Sequence, residues 1–212
     1  MTPAALPHDA WCAWHPQELA RRLCGIARPW CVVGGWALDL WHGVETRPHE
    51  DLEFTILRDD FGVFRAALPE MRFHAVGDGQ VELLGEHEAP AAGIAQVWCE
   101  DIAARCWRVD MMLEEGGNPE TWVYKRDPSV RRPRGEMVHV TAAGIPYLAP
   151  EAILLFKAKY RRDKDELDFE NALPKLDGAQ RRWLQARIAE AYPEHGWLQA
   201  LQAQSPVTKN FH

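Results

Sequence analysis

The sequence predicts an α+β protein: a mixed twisted sheet with helices packed on it over residues 1–148, then a helical subdomain over residues 149–212. Three observations carry that expectation. The apolar run Trp30 to Val33 reaches Gly34-Gly35 and passes into a short helical stretch, Ala37 to Trp41. Runs with period-two alternation recur up to residue 148, most clearly at 51–57 and 105–113. From Pro150 onward the apolar spacing is helical.

Taken in order, Leu19, Leu23 and Ile26 predict an amphipathic helix over Gln17 to Ala27, ended by Arg28-Pro29. A strand from Trp30 follows, and a second begins near Asp51, where Asp51, Glu53 and Thr55 alternate with Leu52, Phe54 and Ile56. Asp59 or Asp60 is placed to cap a helix striped by Phe61, Phe64 and Leu68 and closed by Pro69. Met71 to Val76 and Gln80 to Leu84 flank Gly77-Asp78-Gly79 as a hairpin. Residues 85–93 read as a polar surface loop and Ile94 to Trp98 as a strand. Over Arg105 to Leu113, alternation puts Trp107, Val109, Met111 and Leu113 on one apolar face. Cys106, Arg108, Asp110 and Met112 fall on the other.

Glu120 to Tyr124 reads as a strand, Arg126 to Arg134 as a basic solvated loop, and Met137 to Val140 and Ile145 to Leu148 as short strands. Pro150 then starts a helix with Glu151 in its first turn. If that helix is continuous, Lys157, Arg161, Lys164 and Asp168 form one charged face. Gly178 to Tyr192 and the stretch with Trp197, Leu198 and Leu201 supply two more helices.

Composition narrows the function. A net charge of −7 argues against tight sequence-independent nucleic-acid binding, so no DNA partner is expected, while it suits a cationic small molecule. No apolar run approaches the roughly 20 residues that span a bilayer, and MTPAALPHDAW has neither a basic start nor an apolar core. The expectation is a cytoplasmic chain with no membrane partner. The 5 cysteines are odd in number and lack Cys-x2-Cys spacing, which favours small core residues over disulfides or zinc.

The chemistry gathers around residues 32–53. A strand turning through glycines into a helix leaves backbone N–H groups beside the positive end of the dipole, a favourable place for phosphate oxygens. Period two puts Asp51 and Glu53 on one face, roughly 6–7 Å apart. Carboxylates that close repel unless a cation neutralises them, and Mg²⁺ is the usual one beside phosphate. Arg47 and His49 stand between the two motifs, either orienting the carboxylate strand or touching phosphate. Asp110, an acid in a largely apolar strand, is either the ion-pair partner of Arg108 or a third carboxylate beside Asp51 and Glu53.

Gly34-Gly35, a gap of 15 residues and then Asp51-x-Glu53 resemble the signature of the DNA polymerase β-like nucleotidyltransferases. GGWALDLWHGVETRPHEDLE is similar to their small antibiotic-modifying members, the aminoglycoside and lincosamide nucleotidyltransferases. Those more often carry Asp-x-Asp, so Glu53 departs from the pattern. The resemblance implies a nucleotidyltransferase core with a C-terminal helical subdomain. It implies a reaction in which an acceptor hydroxyl attacks the α-phosphorus of a nucleoside triphosphate, ATP by preference, and pyrophosphate leaves. By the same resemblance Asp51, Glu53 and Asp110 are the catalytic and Mg²⁺-binding residues, with Glu114 as the alternative third acid. Gly34, Gly35, Lys157 and Lys164 with Asp165 belong to the triphosphate. The expected partners are the nucleotide and a small-molecule acceptor, which the resemblance implies is an aminoglycoside-like antibiotic. The rival readings are an enzyme acting on protein or RNA, a homologue with another small alcohol or amine as substrate, and a nucleotide-binding module with a decayed metal site.

Overall fold

The computed structural model describes residues 6–115 and 117–202. Helix α1 (Pro16–Arg22) buries Leu19 and ends five residues short of the expected Ala27, because Gly25 takes a left-handed backbone at φ +86°. β1 (Trp30–Val32) leads straight into α2 (Gly34–His42), so both glycines belong to the helix instead of preceding it. β2 (Glu53–Leu57) starts two residues after Asp51. α3 (Phe61–Ala67) follows a 3₁₀ turn, with Asp60 at its N-cap but making no capping bond through its side chain.

β3 (Met71–Gly77) and β4 (Gln80–Leu83) form the expected hairpin. Asp78 and Gly79 both have positive φ, +50° and +74°, the combination that matches strand twist in a two-residue turn. β5 (Gln96–Asp101) and β6 (Cys106–Glu114) follow. β7 (Thr121–Val123) pairs with β8 (Arg131–Pro133), so the basic stretch read as a loop is partly a strand of a separate ribbon. The chain continues through α4 (Arg134–Met137), β9 (Val138–Val140) and β10 (Pro146–Leu148). It ends in α5 (Pro150–Lys157), α6 (Asp163–Ala172), α7 (Gly178–Ala191) and α8 (Trp197–Gln202).

The main sheet has the order β4-β3-β5-β6-β2-β1-β10-β9 and is mixed, as expected. β2 runs parallel to β6 and β1 parallel to β10, and the other neighbours are antiparallel. One buried apolar cluster extends from Trp14 through the sheet to Leu201, so the C-terminal helices share the core of the sheet. Among the described residues, no helix is long and apolar enough to cross a membrane.

Two local features differ from the sequence expectation and both shape the site. Cys99 pairs with Val109 but Glu100 pairs with Trp107, which leaves Arg108 as the extra residue of a β-bulge. The bulge brings Trp107 onto the face of Asp110, against His74 at 4.9 Å and Trp98 at 5.3 Å, and out of the apolar row of Val109, Met111 and Leu113. The second feature is a break after Lys157. Residues 158–162 leave the helix, and Arg161 takes φ +50°. Lys157 and Asp168 therefore share no continuous helical face. The cysteines divide as well: Cys31, Cys99 and Cys106 are buried, whereas Cys12 and Cys24 are exposed rather than in the core.

Candidate active site

Strand register lines up four side chains across the sheet. His74 pairs with Trp98, Trp98 with Asp110, and Asp110 with Glu53. Cross-strand partners point to the same face, with strands about 4.8 Å apart. The N–H of Asp110 donates to the carbonyl of Leu52 at 2.8 Å, and that of Val33 to the carbonyl of Glu53 at 2.9 Å. Both acids are thus pinned through their backbones. Asp51, just before β2, lies within electrostatic range of both.

The environment opposes charge on both acids. Burial pushes the Asp110 carboxyl well above the usual range, with Glu53 and then Asp51 adding to the rise. A hydrogen bond from Gln96 and the polar edge of the nearby Trp98 indole counter it. Burial and then Asp51 raise Glu53, offset in part by Lys157, Lys164 and Arg162. Asp110 is not the partner of Arg108, which donates to Asp101 at 3.0 Å and to the carbonyl of Cys12 at 2.8 Å. Asp110 Oδ1 is buried with no hydrogen-bond partner. Glu114, the alternative third acid, is committed at the other end of β2, accepting from Thr55 at 2.8 Å and from Arg134 at 2.6 Å.

The glycines are required by close approach. Gly34 has φ +66°, and a Cβ there would run into the Glu53 carboxylate; one on Gly35 would run into the Arg47 guanidinium and the His49 ring. The start of α2 is therefore pressed against the carboxylate strand. Arg47 and His49 make this contact as scaffold. Arg47 Nε and Nη2 donate to Asp168 at 2.8 and 3.0 Å, and its Nη1 donates to the carbonyl of Pro48 and to His49 Nδ1. Since Arg47 can only donate, His49 carries its ring proton on Nε2 and gives it to Asp39 at 2.5 Å. Trp36 stacks on the His49 ring at 4.4 Å. The polar contacts of the two residues thus run to Asp168 on α6, to Asp39 on α2 and to the carbonyl of Pro48.

Lys157 is equally committed. Its buried ammonium lies 3.1 Å from Asp165 and 2.8 Å from Asp168. A continuous helix would separate Lys157 and Asp168 by about 16 Å of rise, beyond any lysine's reach, so the break before α6 is what permits this contact. Lys164 is half-buried and within electrostatic range of Glu53. Arg162, which sequence reasoning passed over, stands beside it: its charge interacts with both Glu53 and Asp51, and its side chain is largely exposed. The Arg-Arg pair before Asp163 was the available signal. Trp98, Gln96 and Trp107 were also missed, since their face depends on pairing and on the bulge.

The donor set Asp51, Glu53 and Asp110 is of the kind a hard divalent cation takes, and Asp110 Oδ1 is a buried acceptor without a hydrogen bond of normal geometry among the described residues. The set is not drawn together in this structure. Among the described residues, no group of three or more His, Cys, Asp or Glu side chains is placed to hold a metal ion. Two cavities, of about 530 and 690 Å³, lie elsewhere: one beside Arg28, Asp60 and Arg134, the other between Cys24, Trp30 and Ile145.

Comparison with known proteins bears on the family and the fold. The profile of a family described as Aminoglycoside-2''-adenylyltransferase matches residues 17–171. No curated protein sequence matches the chain. Among solved structures, the solution structure of the antibiotic-resistance factor ANT(2'')-Ia is 15% identical, with a TM-score of 0.53 over 84% of this chain and 90% of that one. The crystal structure of ANT(2'')-Ia in complex with adenylyl-2''-tobramycin gives the same identity and TM-score over 83% of this chain and 95% of that one. At this identity the likeness shows a shared fold.

Proposed function

The chain belongs to the aminoglycoside-2''-adenylyltransferase family and is a nucleotidyltransferase, and from that premise we propose that it transfers AMP from ATP to a hydroxyl of an aminoglycoside, in a Mg²⁺-dependent reaction in the cytoplasm. The observation that carries the reading is the register pair Glu53–Asp110 on one face, with Asp51 beside it and the glycine start of α2 pressed on Glu53. The family takes its name from this transfer, and the complex of ANT(2'')-Ia holds the corresponding product.

In this reading Asp51 and Glu53, with Asp110, would hold the metal ion, which would supply neutralising charge to the triphosphate and to the phosphorus under attack. Gly34 and Gly35 let the N–H groups of α2 approach phosphate oxygens. Arg162 and Lys164 supply the cationic side of the nucleotide site, and Lys157 acts through Asp165 and Asp168, holding α6 so that those two charges face Glu53. Asp110 receives the proton of the acceptor hydroxyl. The helices after residue 149, described to residue 202, bring this cationic wall to the sheet. Incubation with ATP, Mg²⁺ and tobramycin, followed by pyrophosphate release and the mass of the product, tests the proposal. Pyrophosphate release and adenylyl-tobramycin are expected together, and the absence of both with a folded, ATP-exposed protein would refute it.

A further inference from the structure

The row of register partners continues past Asp110, away from Glu53, to Trp98. The glycine start of α2, Arg162 and Lys164 lie on the Glu53 side, so an acceptor that meets Asp110 lies toward Trp98. Trp98 is held by other rings: Trp107 at 5.3 Å, Trp11 at 5.3 Å and His8 at 5.6 Å, all edge-on. Trp11 is brought there by the N-terminal segment, which bonds along β6 through Cys12 to the carbonyl of Trp107 and through Trp14 to that of Arg108. Despite this packing, among the described residues the Trp98 Nε1–H and Asp110 Oδ1 are both buried without a hydrogen bond of normal geometry, although the indole stands near enough to the Asp110 carboxyl to favour its charged form. An unmet buried donor and an unmet buried acceptor on adjacent strands are each costly alone. A hydroxyl group, which accepts one hydrogen bond and donates another, satisfies both.

We infer that Trp98 is an acceptor-binding and specificity-determining residue of this site: its indole carries an amino-sugar ring of the acceptor, and its Nε1–H donates to the hydroxyl that donates to Asp110. The inference rests on the proposed adenylyltransfer and names the side of the site that the acceptor occupies. Both unmet atoms are closed to solvent, so the hydroxyl enters by displacing a neighbour. Gln96, half-buried at the start of β5 and bonded to the other oxygen of Asp110, is the group that yields. The indoles of Trp11 and Trp98, each only half-buried, also suit the ammonium groups of an aminoglycoside, because a cation is attracted to an aromatic face.

The test compares wild type with Trp98→Phe, which keeps an aromatic ring and removes the N–H, and with Trp98→Leu, which removes both. Tobramycin and its analogue lacking the 2''-hydroxyl are the probes, with KM for tobramycin and for ATP, kcat, and calorimetric affinity for both probes as readouts. Trp98→Phe is expected to raise the KM for tobramycin about tenfold, the size of one missing hydrogen bond, with the KM for ATP unchanged. The deoxy analogue should bind Trp98→Phe and wild type equally, because it has no 2''-hydroxyl to accept from the indole N–H. Trp98→Leu should weaken both probes. Wild type that modifies tobramycin, with Trp98→Phe binding it just as well, overturns the inference and leaves the enzyme reading standing. A parallel rise in the KM for ATP overturns it too, since that marks a structural effect. Wild type that binds ATP with Mg²⁺ but neither binds nor modifies tobramycin removes the aminoglycoside reading and this inference with it.

Discussion

Glu53 on β2 and Asp110 on β6 are direct register partners across a parallel strand pair, so two carboxyl groups stand side by side on one face of the sheet. Their neighbourhood is short of compensating hydrogen bonds, and both are held above the usual carboxylate range by burial and by neighbouring acids. Such a pair is stable only because the surrounding fold determines it. Its electrostatic demand is for positive charge.

That demand leads to a linkage prediction. ATP and Mg²⁺ together should raise the melting temperature more than the sum of each alone, because the ion serves carboxylates and triphosphate at once. Saturation at about 100 times the dissociation constant adds roughly 2.7 kcal/mol. In Asp51→Ala the synergy should disappear while the ligand-free melting temperature changes little. Calorimetry showing additive effects in wild type would remove the shared ion from the proposal.

Asp110→Asn separates proton acceptor from metal ligand. If the carboxylate receives the acceptor's proton, transfer should fall by about 10²–10⁴-fold with ATP and Mg²⁺ affinity kept. Weakened Mg²⁺-dependent nucleotide binding in the same variant would instead assign it to the metal. Stopped-flow transfer rates beside a nucleotide titration decide between them.

Gly34 and Glu53 should behave as a coupled pair. Gly34→Ala adds a Cβ where the Glu53 carboxylate lies and forces a non-glycine residue to φ +66°, a backbone cost of about 1–2 kcal/mol. Activity should fall because Glu53 is displaced. Glu53→Asp withdraws the carboxylate by about one methylene, so the double variant should recover part of the loss in activity, a coupling of about 0.5–3 kcal/mol. Strictly additive losses would mean the two groups do not press on each other.

Asp168 links Arg47 to Lys157, and removing its charge should leave the buried Arg47 guanidinium without its carboxylate and Lys157 with Asp165 alone. Asp168→Asn is expected to cost about 3–5 kcal/mol at pH 7. Burial by itself would raise the Asp168 carboxyl, but the Arg47 hydrogen bonds and the Lys157 charge outweigh it and hold it below the usual range. A carboxyl depressed in the folded state binds fewer protons there than in the unfolded chain. Its contribution is therefore present above the unfolded value of about 3.9 and is lost as pH falls through the folded one. The wild-type melting temperature should drop more steeply below about pH 4 than that of Asp168→Asn. Parallel curves from pH 7 to pH 3 would show that Asp168 carries no such stabilisation.

The parts legible in the sequence are those that near neighbours along the chain decide. The glycine entry to α2, the alternation that turns Glu53 away from Phe54, the positive-φ turn at Asp78-Gly79 and the change to helix after Pro150 all follow from φ preferences and side-chain period within a few residues. Family membership was also legible there, because Gly34-Gly35 and Asp51-x-Glu53 are close in sequence. Which distant groups meet depends on the packing of the folded elements. Trp107 changed faces because one extra residue sits opposite β5, and period counting within β6 alone does not show a bulge. Arg108 chose Asp101 over Asp110, and Lys157 was enclosed by Asp165 and Asp168 through a break that has neither glycine nor proline to announce it. Buried charges take whichever partner the packed elements deliver, and the penalty for leaving one unpaired is set by burial, which local sequence does not contain.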